Sequence, residues 1–194
     1  MRPLVRAAAL AAMLFALACS PAEKPAETAQ SSAAPADCAR VVRRTIAFTA
    51  PDAQDVIEAR AIGPDCDAAV VVFSLRRADG APLWAMARAH AWARDPGGAY
   101  APSHDAAAMD AFLTEWANAR QDTTAALPDW PERENVFKDQ LGGLNATPLP
   151  REQYLDVRRQ GAPRLCFAAD AETIDCIYYD AQKGEARKIL EIGS

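Results

Sequence analysis

The chain has 194 residues, 51% of them hydrophobic, with 21 Lys and Arg against 26 Asp and Glu and a formal net charge of −5. An acidic balance without a basic cluster argues against nucleic acid or an anionic lipid surface as the main target. The length suits one domain with a core of its own, and no second low-complexity stretch supplies the linker that another domain would need.

Arg2 and Arg6 give a positive start, Ala7 to Ala18 form an uncharged and mostly apolar run, and Ala16-Leu17-Ala18 place small residues ahead of Cys19. This is the pattern of an export signal, too short to serve as a spanning anchor. Met1 to Ser20 resembles the lipobox-type signal peptide of the bacterial lipoprotein class, with Ala16 where that class usually carries Leu. The resemblance implies that residues 1–18 are removed and that Cys19 is acylated on its sulfur and its amine. Ser20 stands where an Asp often retains such proteins at the inner membrane, so an outer-membrane lipoprotein with its domain facing the periplasm is expected. Each buried methylene contributes about 0.8 kcal/mol, so two or three acyl chains make release negligible. The alternative is an ordinary secretory signal cleaved near Ala18, which leaves a free thiol.

Ser20 to Asp37 is mostly Pro, Ala, Ser, Glu and Thr, without an aromatic or large aliphatic side chain. Such a stretch cannot bury enough apolar surface to offset its ordering entropy, so it reads as a disordered tether spanning about 25 Å. Residues 38–194 are expected to form a single domain. Taking 21 basic residues less Arg2 and Arg6 against 26 acidic ones leaves the mature chain at net −7.

Four cysteines follow Cys19, and an even count in an exported chain argues for two disulfides. Cys38 with Cys66 would pin the start of the domain to its first hairpins, and Cys166 with Cys176 would bracket a short loop. No CxxC occurs and the only histidines are His90 and His104, so neither a metal nor another cofactor is expected.

Thr45 to Thr49 and Asp55 to Ile62 read as strands separated by Pro51-Asp52. Val70 to Leu75 is a β-branched and aromatic run, followed by an Asp79-Gly80 hairpin signal and a return strand from Leu83 to about Ala93. Alternation sends Leu83, Ala85, Ala87, Ala89 and Ala91 to one face, which a packed element can approach closely. Trp84, Met86, Arg88, His90 and Trp92 go to the other. Trp84, Arg88, His90 and Trp92 then form a strip of cation and π surface, suited to a sugar or a peptide. The same four fit a core role with Arg and His at the solvent boundary, and the spacing of Trp84, Arg88 and Trp92 also fits a helix.

Ser103 is placed to cap a helix with Asp105 in its first turn and with Met109, Phe112, Leu113 and Trp116 on one stripe that covers a sheet face. Ser103-His104-Asp105 has the residue types of a hydrolase triad, but adjacent residues cannot direct their side chains at one another in that order. Gln121 to Leu149 reads as a long loop holding one short helix over Glu132 to Gln140, pinned by Trp130 and Phe137. Pro150 to Gln160 reads as a helix stopped by Gly161, and Leu165 to Ala168, Ile174 to Tyr179 and Ala186 to Ile192 as a meander. The fold class is therefore α+β: an antiparallel sheet, one or two packed helices and two disulfides.

No Gly-rich phosphate loop, HExxH or GxSxG is present, so no catalytic residue is assigned. The sequence favours a non-catalytic binding module held at the membrane by its lipid, with another envelope protein or a cell-wall component as partner. A periplasmic hydrolase using dispersed carboxylates is the alternative. The chain is also similar to lysozyme-inhibitor-like lipoproteins in signal, size, β-rich character and a cysteine pair.

Overall fold

The computed structural model describes residues 38–93, 105–130, 136–138 and 144–193, all within one compact unit spanning Ala33–Ser194. The first four strands, β1 (Cys38–Ile46), β2 (Asp55–Gly63), β3 (Val70–Arg76) and β4 (Pro82–Ala89), form one antiparallel sheet in sequence order. A 3-10 turn, His90–Trp92, ends this half. Helix α1 (Ala106–Ala117) leads to β5 (Arg120–Thr123), β6 (Val136–Lys138), β7 (Leu144–Ala146), α2 (Arg151–Gln160), β8 (Pro163–Ala168), β9 (Thr173–Asp180) and β10 (Glu185–Gly193). These later strands form a second antiparallel sheet in the order β5-β8-β9-β10-β7-β6. The α+β class and the meander of the last three strands are as expected, but the structure has two sheets.

The first sheet owes its inner face to alternation in β2 and β3. Ile57, Ala59 and Ala61 and Val71, Phe73 and Leu75 are all fully buried, while the residues between them are half-buried or exposed, except Ser74, which is buried too. Helix α1 lies against β1 and β2 on that inner face. Ala59 and Ala61 leave room for it. Its stripe of Met109, Phe112, Leu113 and Trp116 is buried as the spacing required. The same core takes in Leu165, Phe167 and Ile177 from the second sheet. Phe73 stacks on Phe167 with ring centroids 4.3 Å apart and meets Trp116 at 5.5 Å. The Trp116 indole donates to the Ala168 carbonyl at 2.9 Å, tying α1 to β8.

The opposite face of the second sheet carries a smaller core beneath α2, with Tyr154 and Val157 packed on Cys176, Tyr178 and Leu190. Successive residues of β9 thus serve two cores, because Cys176 and Tyr178 point one way and Ile177 the other. Gly161 ends α2 at φ 62°, a left-handed position that costs glycine no Cβ clash.

Both disulfides join the expected partners. Cys38 bonds Cys66, 28 residues on, and Cys166 bonds Cys176 directly across β8 and β9.

Several local expectations give way. The first strand is Cys38–Ile46 and not Thr45 to Thr49; Phe48 and Thr49 instead wrap onto the buried Asp55 carboxylate, which accepts their backbone N–H groups at 3.1 and 2.6 Å. The β3–β4 connection is a turn centred on Ala78 and Asp79, closed by the Gly80 N–H on the Arg77 carbonyl at 2.9 Å. Gly80 follows at φ 87°, so Asp79-Gly80 is not a two-residue hairpin. The return strand ends at Ala89 and gives way to the 3-10 turn. Helix α1 is capped by Asp105, whose side chain accepts from the Ala108 N–H at 2.8 Å; Ser103 and His104 lie outside the described residues. Val136–Lys138 is strand where a helix over Glu132 to Gln140 was expected, and the flanking 131–135 and 139–143 lie outside the described residues. Cys19, the signal segment 1–18 and the tether 19–37 also lie outside them.

Candidate functional site

The strip of Trp84, Arg88, His90 and Trp92 does not form one surface. On β4, Trp84 takes the core role that the sequence also allows: Trp84 and Met86 pack against the main core, while Ala85, Ala87 and Ala89 are exposed and Leu83 at the start of the strand is buried. Register explains the choice. Leu75, Phe73 and Val71 of β3 pair with Trp84, Met86 and Arg88, so the large residues of both strands share the inner face. Trp84 approaches Phe167 at 6.4 Å, and its buried indole N–H has no acceptor among the described residues.

His90 leaves the alternation because the backbone turns there. It is 4% exposed, its Nδ1 is 3.1 Å from the Cys66 carbonyl, and its ring meets Phe112 edge-on at 5.1 Å. Its backbone N–H donates to the Ala69 carbonyl at 2.8 Å. His90 therefore holds the turn against the first disulfide and α1.

The same turn throws Trp92 outward. Trp92 is 71% exposed, the most exposed of the large hydrophobic side chains among the described residues. Its backbone is nonetheless fixed, since its carbonyl accepts the Ala171 N–H at 3.0 Å. Arg88, exposed at the end of β4, joins Trp92 and the β8–β9 turn to line a concavity of about 510 Å³ with Asp170, Ala171, Glu172 and Thr173. Of the four residues singled out in the sequence, Arg88 and Trp92 meet here. The turn residues Asp170 to Thr173 carry no sequence motif; the Ala171 N–H on the Trp92 carbonyl and the Arg88 charge beside Asp170 tie them to the site.

Two carboxylates in one concavity raise the question of acid–base chemistry. Burial pushes the Asp170 carboxyl up, but the N–H groups of Glu172 and Thr173, at 2.9 and 2.8 Å, and the Arg88 charge outweigh it. Its pKa falls below the usual carboxylate value. A carboxylate held ionised by its own turn is a poor proton donor. Its role here is to shape the turn. The other carboxylates whose titration the structure moves go the same way. Asp110 is lowered chiefly by hydrogen bonding to Arg40, and Asp122 by the Thr123 N–H and then by Arg164 and Arg120.

Among the described residues no group of three or more His, Cys, Asp or Glu is placed to hold a metal ion, and no helix is long and apolar enough to cross a membrane. The chain matches no protein-family model, no curated protein and no solved structure.

Proposed function

We propose that this is a lipid-anchored envelope protein whose domain is a non-catalytic binding module, with Trp92 and Arg88 as its contact residues. The observation that carries the reading is the combination at Trp92: an indole open to solvent on a backbone held by a hydrogen bond from the Ala171 N–H. Exposing a large aromatic costs solvation, and fixing the backbone that carries it lowers the entropy lost when a partner packs against it. A guanidinium and two carboxylates around the ring add donors and acceptors for a polar polymer such as a cell-wall glycan or peptide. Acylated Cys19 and the tether 19–37 would hold the domain at the outer membrane, facing the periplasm, within reach of that layer.

Two experiments test the reading. A Cys19→Ala chain is expected to run as uncleaved precursor without lipid label, and normal processing of that variant would refute the anchor. A photo-crosslinker at Arg88 in intact envelopes is expected to capture a cell-wall fragment or an envelope protein, with capture lost in Trp92→Ala. Undiminished capture in that variant would refute the contact surface.

A further inference from the structure

A second cleft, independent of Trp92, opens on the α2 side of the second sheet. It has a volume of about 290 Å³ and is bordered by Trp116, Arg120, Arg164, Cys166, Ile174 and Ile192. The floor follows from register. Ala168, Ile174 and Ile192 lie side by side across β8, β9 and β10, and the Cys166–Cys176 disulfide forms the next row. Arg164 lies beyond the disulfide row, Arg120 borders the cleft from β5 beside Cys166, and Glu115 stands exposed at the α1 rim.

Arg164 is only 6% exposed, and its buried Nε has no hydrogen-bond partner among the described residues. Its Nη2 donates to Asp122 Oδ2 at 3.1 Å, and the same oxygen lies 3.4 Å from Nη2 of Arg120. One carboxylate thus serves two guanidiniums, the exposed Arg120 and the buried Arg164, beside an apolar floor, and among the described residues Arg164 has no second carboxylate hydrogen-bonded to it. Burial weakens the hold of Arg164 on its proton, the direction expected when a cation is desolvated with too little counter-charge. A buried guanidinium with unused donors is costly unless an anion completes it.

We propose that this cleft binds a small amphipathic carboxylate, its head group on Arg164 and its hydrocarbon body along Ala168, Ile174 and Ile192. A carboxylate matches the planar fork of Arg and supplies the second negative charge that Asp122 alone does not. The cleft lies at the small end of the range for ligand pockets, which restricts the body to a short chain or a single ring. The site does not depend on the Trp92 surface, and either can fail without the other.

The test uses the full chain carried in lipid nanodiscs, with empty nanodiscs subtracted, and hexanoate as the probe. Binding is read from the fluorescence of Trp116 at the cleft wall and from the carboxyl carbon shift of labelled hexanoate. Saturable binding is expected, with hexanol at least about tenfold weaker, as a charge-assisted hydrogen bond predicts. Arg164→Met should remove that preference, bringing hexanoate down to the affinity of hexanol. Equal binding of acid and alcohol by the unaltered protein, or unchanged hexanoate affinity in Arg164→Met, would overturn the proposal. Should Arg164→Met not fold, Ile192→Trp fills the cleft without touching a charge and is expected to abolish binding; retained affinity there overturns it equally.

Discussion

Truncating Phe73 tests whether the two sheets share one core. Phe73 is fully buried, its ring is 4.3 Å from that of Phe167 in the second sheet, and it is 5.5 Å from Trp116 in α1. Phe73→Ala should cost about 3–5 kcal/mol for the lost transfer energy and the cavity left behind. Set against about 5–15 kcal/mol for a typical domain, that is a large fraction of the whole. The stacked pair itself should contribute about 0.5–1.5 kcal/mol beyond area burial. The cycle of Phe73→Leu, Phe167→Leu and the double variant should therefore show coupling of about 1 kcal/mol. The assay is urea unfolding followed in parallel by tryptophan fluorescence and far-ultraviolet circular dichroism. Coupling within about 0.3 kcal/mol of zero, or two separated transitions in Phe73→Ala, would show that the sheets fold as independent units. Val41→Ala on the exposed outer face of β1 is the control and should change stability by no more than about 0.5 kcal/mol.

Asp55→Ala should cost about 2–3 kcal/mol in the same urea assay, because two backbone N–H groups and the Thr49 hydroxyl lose a buried acceptor; a cost below about 0.5 kcal/mol would mean water replaces the carboxylate. Replacing both members of a cysteine pair by Ser should cost about 3.6 kcal/mol for the 28-residue separation of Cys38 and Cys66 and about 2.7 kcal/mol for the 10-residue separation of Cys166 and Cys176. The reverse order in measured unfolding energies would count against a chain-entropy origin. Burial pushes the Tyr154 phenol up to about 12. With the folded value above the unfolded one near 10, its contribution is complete below about pH 10 and is lost as pH rises toward 12. Phenolate absorbance showing Tyr154 ionised in the native protein at about pH 10.5 would contradict this. Asp110, Asp122 and Asp170 are all lowered, so their contribution is present above about pH 4 and lost as pH falls through their folded values; acid unfolding that begins at about pH 6 would not come from them.

Residues with strong periodicity were legible in the sequence. The Val70 to Leu75 run, the α1 stripe from Met109 to Trp116, the α2 stop at Gly161 and the three last strands all fall where pattern places them. Strand β5 is Arg-Gln-Asp-Thr, four residues at an exposed edge with no buried face to imprint an alternation. Strands β6 and β7 have three residues each, too few for a period. On β4 the alternation was readable but its sense was not. Small residues on one face and large on the other fit either orientation, and only the pairing of Phe73 with Met86 decides which set turns inward. The candidate site was half legible: Trp92 and Arg88 stood out as residue types, but the break in the strand at His90 depends on the distant Cys66 carbonyl and Phe112. The Arg164 cleft carried no local signal, because Arg164, Arg120 and Ile192 come from three strands far apart in the chain.

The Cys38–Cys66 bond also bears on mechanics. Strand β1 is an outer strand of its sheet, and a pull on the chain ahead of Cys38 would, without the bond, peel it from β2 one hydrogen-bonded pair at a time. Cys38 is the first residue of that strand and pairs with Gly63, so the bond to Cys66 closes the seam at the end where peeling would start. A load entering there passes through a covalent link into the β2–β3 connection, and the sheet must yield as a body, not unzip. Reducing the bond would turn a clasp into a tear strip.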